Sequence, residues 1–154
     1  MNYSEFLINI EEVGYSRQGK SCAFCNIGEW TIGFIGLSGK FQSNGSKAYV
    51  VCARPTEFEF MTSPNKQFST EPMEYPLKLT LESFTEKLEY ESNLLRFDYD
   101  RIGTESDWSD LFKLIANDLP IALEKLKVTG LITQITKSSE LGYIEKVWLG
   151  LKNA

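Results

Sequence analysis

The sequence predicts an α+β fold in which an antiparallel sheet packs against an N-terminal helix and a long, proline-interrupted helix in the C-terminal half. Apolar runs within residues 21–53 are separated by turn-forming residues, which is typical of an antiparallel meander. One amphipathic segment precedes this region and a longer one follows it. A chain of 154 residues can form one core, so we expect a single α+β domain over residues 1–154.

The first helix is predicted to begin at Ser4 and to end at Gly14, because glycine readily adopts the left-handed conformation that closes many helices. Its apolar residues recur at helical spacing and should share one buried side: Phe6, Leu7, Ile10 and Val13.

Strand patterns follow this helix in "SCAFCNI", "EWTIGFIGL" and "KAYVVCA", and the Gly, Asn and Ser residues between them favour turns. The run "EFEFM" is compatible with a further strand, and the segment from Thr62 to Pro76 is predicted to be the longest loop. Alternation in "PLKLTLE" and "NLLRFDYDR" indicates two more strands, with the helical segment "SFTEKLEYES" between them.

The strongest periodicity lies in residues 104–128, where we predict a core-facing helix that starts with a capping box at Thr104 to Asp107. Pro120 should kink this helix or begin a second one. The predicted inward stripe consists of Trp108, Leu111, Phe112, Ile115, Leu119, Ala122 and Leu126. The segment 131–152 fits either a helix or a strand pair, and we favour the strand pair.

The stretch "CAFC", Cys22 to Cys25, resembles a metal or redox motif, but the rest of the sequence argues against both. Structural zinc sites use four Cys or His ligands, and the chain has three cysteines and no histidine. A redox pair needs a helix start behind its first cysteine, whereas this stretch has a strand pattern that directs residues three apart to opposite faces. We therefore expect these cysteines to be small buried apolar residues.

The absence of histidine also excludes Ser-His-Asp and Cys-His catalysis, which leaves carboxylate chemistry. Asp98 and Asp100 would share a strand face and could hold Mg²⁺ or Mn²⁺ with help from Glu105 or Asp107, although two such acids more commonly mark an exposed face.

The glycines of "GFIGLSGK" lack the spacing of a phosphate-binding loop. Gly33, Gly36 and Gly39 are therefore predicted to occupy turns, bulges or closely packed positions.

Charge is unevenly distributed, since residues 55–118 hold fourteen of the 21 acidic residues and carry a net charge of −8. This acidic tract makes nucleic acid and anionic membranes poor partners and favours a basic protein surface, although it could also be a solvated face. The chain shows no membrane-span pattern and no secretory signal, so we expect a cytoplasmic protein.

The stretch "GYSRQGKSCAF" combines a helix end, a Gly-aromatic pair, basic residues, a glycine and a strand. It resembles the start of small bacterial toxin-immunity-like α+β proteins of unknown function. The resemblance implies a non-catalytic immunity protein or antitoxin that binds a toxin domain.

We therefore expect no catalytic residue, no cofactor and no resident metal. The alternative is an enzyme or ligand-binding domain that uses a carboxylate site around Asp98 and Asp100. The acidic tract suggests a partner-binding surface in which Trp108 is either a core residue or an aromatic anchor. The candidate partner-binding residues are Asp98, Asp100, Glu105, Asp107, Trp108 and Asp110.

Overall fold

The chain forms an antiparallel sheet with an N-terminal helix and a later helix, which confirms the predicted α+β class. This architecture comes from a computed structural model. The structure describes residues 1–37, 47–57, 68–75, 77–79, 100–102, 105–124 and 127–129.

Helix α1 (Tyr3–Glu12) begins with a capping box in which the Asn2 side chain accepts a hydrogen bond from the Glu5 N–H at 3.0 Å. The Glu5 carboxylate in turn accepts from the Asn2 N–H, also at 3.0 Å. Phe6, Leu7 and Ile10 are buried as predicted, and Gly14 has a φ of 103°. The predicted burial of Val13 is wrong: α1 ends at Glu12, before Val13, and this side chain is 47% exposed.

The three predicted strands of the meander are present as β2 (Cys22–Ile27), β3 (Trp30–Gly36) and β4 (Lys47–Pro55), and a short strand that the sequence did not predict, β1 (Ser16–Gln18), precedes them. Each of these four strands pairs antiparallel with the next. Two short strands, β5 (Leu77–Leu79) and β6 (Asp100–Ile102), pair with the other edge of β4.

Strands β5 and β6 follow one another along the same edge of β4. Leu79, the last residue of β5, lies opposite Val51, and Asp100, the first residue of β6, lies opposite Tyr49. The partners of these two strand ends are two residues apart on β4, so the chain returns after residues 80–99 close to where it left the sheet.

The two faces of the sheet carry separate apolar clusters, because side chains alternate along each strand. Both helices pack on the first face, where the buried strand residues are Ala23, Trp30, Ile32, Phe34, Tyr49, Val51, Ala53 and Leu77. The second face contributes Cys22, Phe24, Ile35, Val50 and Cys52, with Phe68 and Tyr75 packed against them.

Residues 68–75 are attached to the second face by polar contacts as well as by packing. The Gln18 amide donates to the Phe68 carbonyl at 2.7 Å and accepts from the Phe68 N–H at 3.0 Å. The Phe68 ring stacks on Phe24, with the ring centroids 4.8 Å apart. The fully buried Arg54 donates to the Glu74 carbonyl at 3.3 Å and lies over the Tyr75 ring.

The glycines within β3 allow close packing, as predicted. A Cβ atom on Gly33 would lie 2.7 Å from the Phe24 ring, and one on Gly36 would lie 2.7 Å from the Ser21 carbonyl oxygen.

The second helical region starts with α2 (Glu105–Lys113), passes through a π-helical turn (Leu114–Asp118) and continues through residues 119–124. Its predicted stripe is confirmed at Trp108, Leu111, Ile115, Leu119 and Ala122, which are all buried. Phe112 is only half-buried at the edge of this cluster. Leu114 and Leu123 add to the buried side beyond what the pattern predicted.

The π-helical turn lies directly before Pro120. The Leu119 N–H donates to the Leu114 carbonyl, five residues back, so it does not serve the Ile115 carbonyl as it would in an α-helix. In the π pattern that carbonyl would need the N–H of residue 120, which proline lacks. The buried Tyr15 hydroxyl donates to the Ile115 carbonyl instead, at 3.1 Å.

The β2–β3 turn is tied to the end of this helical region. The Trp30 indole N–H donates to the Leu123 carbonyl at 3.0 Å, and the Glu29 carboxylate accepts from the Val128 N–H at 3.3 Å.

Several predicted elements lie outside the described residues: most of the possible strand at 57–61, the helix at 83–92, most of the strand at 93–101, Gly39, Thr104 of the predicted capping box, Leu126 and the segment 131–152. None of the described helices is long and apolar enough to span a membrane.

Candidate functional site

The outer side of α2 carries two of the predicted partner-binding acids. Asp107 is half-buried and Asp110 is exposed, and their spacing of three residues makes them neighbours on the helix surface. Glu105 is the first residue of α2. The structure therefore brings Glu105, Asp107 and Asp110 onto the first two turns of one helix.

Trp108 is a core residue, so the anchor alternative for this side chain is wrong. It is 6% exposed, and its ring centroid lies 4.9 Å from that of Tyr3 and 5.1 Å from that of Phe6. Phe34 of the sheet approaches it at 6.5 Å. The indole therefore fixes α2 against α1 and β3.

The second acidic position lies on the sheet edge. Asp100 begins β6 opposite Tyr49, whereas Asp98 lies outside the described residues. The carboxylate-pair hypothesis for these two acids therefore remains a prediction. Across the part of the chain that the structure describes, no three Asp, Glu, Cys or His residues form a possible metal site.

The "CAFC" cysteines diverge, as the strand pattern predicted. Cys22 is buried in the cluster on the second face, while Cys25 packs against the cluster on the first face. Burial raises the pKa of both thiols, since it penalises the charged thiolate. A redox nucleophile needs the opposite shift.

A pocket of about 250 Å³, which the sequence analysis missed, opens where one end of the sheet meets the start of α1. Its lining residues are Tyr3, Lys20, Ser21, Phe34, Gly36, Leu37, Lys47 and Ala48. Strand pairing assembles it, because Gly36 donates its N–H to the Ser21 carbonyl and Leu37 donates to the Ala48 carbonyl, both at 2.9 Å.

Two lysines, Lys20 and Lys47, line this pocket. The Lys47 ammonium lies 5.6 Å from the Tyr3 ring centroid, within the range of a cation–π contact. Partial burial raises the pKa of the Tyr3 hydroxyl, and the positive charge of Arg17 opposes this rise. Arg17 itself lies 3.4 Å from the Glu11 carboxylate.

Tyr3 connects the pocket with α2. It lines the pocket, lies near Lys47 and packs on Trp108, the neighbour of Asp107 in the sequence. Tyr3 and Lys47 are far apart in the sequence. The one sequence feature that could have indicated this pocket is the position of Lys20 and Lys47 near predicted turns.

Comparisons with protein-family models, with curated proteins and with solved structures found no match to this chain.

Proposed function

We propose that this chain is a non-catalytic binding protein. It acts as an immunity protein or antitoxin whose acidic surface neutralises a basic toxin domain, such as a nuclease domain. The observation that supports this proposal is the placement of Asp107 and Asp110 on α2, a helix whose inner side is fixed in the core.

A fixed helix is a suitable support for a binding surface. Trp108, Leu111 and Ile115 are buried against α1 and the sheet, so α2 has little freedom to move when a partner binds. Acidic side chains on such a helix lose little conformational freedom beyond their own rotamers. They would attract a basic partner through a field that salt screens over about 10 Å at 0.1 M.

The test begins with the protein encoded by the neighbouring reading frame. If it is a toxin domain, co-expression of this chain should protect cells from it, and the purified proteins should associate faster at low salt than at high salt. The double variant Asp107→Lys/Asp110→Lys should slow association roughly tenfold at low salt, because charge steering acts mainly on the association rate.

The matched control is Glu12→Lys/Glu124→Lys, which changes the net charge equally at two exposed positions on other helical segments. If both double variants slow association to the same degree, the effect comes from net charge and the proposed surface is wrong. If the variant at Asp107 and Asp110 associates at the unchanged rate, the interface lies elsewhere.

The alternative function predicts a different result. A carboxylate site at Asp98 and Asp100 should bind Mg²⁺ or Mn²⁺ at one ion per chain, and Asp100→Asn should abolish that binding. Such binding, together with failure to inhibit the neighbouring toxin, would replace the immunity proposal with the enzyme or ligand-binding proposal.

A further inference from the structure

We propose that the pocket beside Tyr3, here called the Lys20–Lys47 pocket, binds the phosphate group of a small phosphorylated ligand. This proposal is independent of the toxin partner, because it rests on different residues and on the opposite sign of charge.

The position of the pocket follows from the register of three strands. Ser21, Gly36 and Lys47 lie at the adjoining ends of β2, β3 and β4, on the face that α1 covers. Helix α1 begins at Tyr3, so its first turn forms one wall of the pocket. Gly36 has no side chain at the point where the Ser21 backbone approaches most closely.

The charge of the pocket differs from that of the whole chain. The protein has a net charge of −5, yet Lys20 and Lys47 both line the pocket and the positive charge of Arg17 acts on Tyr3. Among the residues that the structure describes, the lining of the pocket includes no Asp or Glu. An anion entering this pocket would therefore meet the ammonium groups of Lys20 and Lys47.

The charges favour a phosphate over a carboxylate. Lysine binds phosphate as a compact positive charge, and two lysines attract a dianionic phosphate more strongly than a singly charged carboxylate. The hydroxyls of Ser21 and Tyr3 add two donors, so four of the lining residues carry side-chain groups that can donate to a phosphate oxygen. The Ser21 hydroxyl donates to the Gly36 carbonyl at 3.4 Å, and a hydrogen bond from Ser21 also opposes the rise in the pKa of the Cys22 thiol, so a ligand would compete with these contacts for the hydroxyl.

The volume of the pocket and its lining residues limit the size and the polarity of the part of the ligand that is attached to the phosphate. A volume of about 250 Å³ corresponds to roughly eight water molecules at about 30 Å³ each. This space accommodates a phosphate group and a stem of a few heavy atoms. Tyr3, Phe34 and Leu37 give the pocket an apolar side, so the stem should be apolar or aromatic.

The experiment titrates the purified protein with phenyl phosphate, with inorganic phosphate and with phenol, and follows backbone amide shifts by NMR. We expect saturable shifts of the amide signals of Ser21, Gly36 and Lys47. Phenyl phosphate should bind more tightly than inorganic phosphate, and phenol should cause no shift of these signals. Tighter binding of inorganic phosphate would identify a site for the free ion and overturn the proposed ligand.

Charge-removing variants test the assignment. Lys47→Gln should weaken phenyl phosphate binding about tenfold, since a hydrogen bond to a charged group is lost. Lys20→Gln should weaken it severalfold, and the double variant should abolish it. Lys113→Gln is the matched control, because it removes one exposed charge from α2 and should change affinity less than twofold.

Two outcomes would overturn the proposal. One is the absence of saturable shifts at these amides in the folded wild-type protein. The other is an equal loss of affinity in Lys113→Gln and Lys47→Gln, which would indicate attraction by net charge alone. Ser21→Ala removes one hydroxyl without changing the charge, and unchanged affinity in this variant would remove Ser21 from the site.

Discussion

At the scale of single residues, α2 combines three degrees of burial within three consecutive positions. Asp110 is exposed, Leu111 is fully buried and Phe112 is half-buried at the edge of the core. Truncation of each side chain should therefore have a different effect on the free energy of unfolding, because the cost depends on how much apolar side chain is removed from the core and on the size of the cavity that remains.

We expect Leu111→Ala to lower the free energy of unfolding by about 2 to 5 kcal/mol. Phe112→Ala should cost less than Leu111→Ala, since part of its ring already faces water. Asp110→Ala should stay within about 0.5 kcal/mol, as surface substitutions usually do. Urea denaturation measures all three, and a cost near zero for Leu111→Ala would contradict the placement of this stripe in the core.

The cysteines give a prediction about pH. Because burial raises the pKa of Cys22 and Cys25, a smaller fraction of each thiol is ionised at a given pH than in a free thiol. Alkylation by iodoacetamide at pH 8 should therefore be slower in the folded protein than in the urea-unfolded protein, and its rate should continue to rise at higher pH. The half-buried Cys25 should react before the buried Cys22 and Cys52. Mass spectrometry after timed labelling provides the measurement, and a Cys22 that reacts faster than a free thiol would contradict it.

The sequence predicts residue burial well where periodicity continues and fails where an element stops. Val13 continues the spacing of Phe6 and Ile10, but α1 ends at Glu12 and the side chain turns to solvent. Arg54 shows the reverse case, since nothing in the pattern distinguishes it from an exposed base, and yet Glu74 and Tyr75 bury it on the second face. Both outcomes depend on tertiary contacts.

At the scale of elements, the π-helical turn and Tyr15 form one unit. The Leu119 N–H donates to the Leu114 carbonyl and Pro120 has no N–H, so neither residue donates to the Ile115 carbonyl. The Tyr15 hydroxyl donates to this carbonyl instead. Tyr15 follows Gly14 at the end of α1, so this hydrogen bond also links the two helical regions.

Tyr15→Phe should therefore lower the free energy of unfolding by about 1 to 3 kcal/mol, since it leaves a buried carbonyl without a donor. In a Pro120→Ala background the new N–H at residue 120 can donate to Ile115, so the same substitution should cost less. Urea denaturation of the four proteins in a double-mutant cycle measures this coupling. Equal costs in both backgrounds would show that the Tyr15 hydrogen bond does not compensate for the proline.

Periodicity and local turn chemistry explain why the sequence predicts the strands β2, β3 and β4 and the two helical regions, although α1 begins and ends earlier than predicted. The Lys20–Lys47 pocket could not be predicted in this way, because its residues come from four separate elements and meet only through strand register. The π-helical turn was missed for a related reason. Proline predicts an interruption, but the donor that compensates for it lies a hundred residues away in the sequence.

At the scale of the whole molecule, charges of opposite sign lie on either side of one aromatic contact. Tyr3 faces the lysine pocket, and Trp108, on which it packs, belongs to the helix that carries Asp107 and Asp110. The two proposed binding functions therefore share a structural support. If the proposed toxin partner binds this chain, titration of that complex with phenyl phosphate tests whether the two surfaces act independently.

The edge of β4 gives a prediction about chain length. A flexible Gly/Ser insert placed directly after Thr80 and doubling the length of residues 80–99 should cost only about 0.6 kcal/mol, because loop-closure entropy grows slowly. The same insert in the tight turn between Gly28 and Glu29 should cost more, since it would separate β2 from β3 and disturb the contact of Glu29 with Val128. Urea denaturation measures the free energy of unfolding of the two insertion variants. A larger loss for the insert after Thr80 than for the insert after Gly28 would contradict the expectation.

The shared edge occupied by β5 and β6 also has an evolutionary consequence. Because the chain leaves β4 opposite Val51 and returns opposite Tyr49, the sheet places little demand on the length or composition of what lies between. Asp98 and four glutamates of the acidic tract belong to that interval. Mutation, duplication or recombination could therefore alter these acidic residues while the inherited scaffold keeps its register, which would let the proposed acidic binding surface diverge toward different partners among descendants of one ancestor.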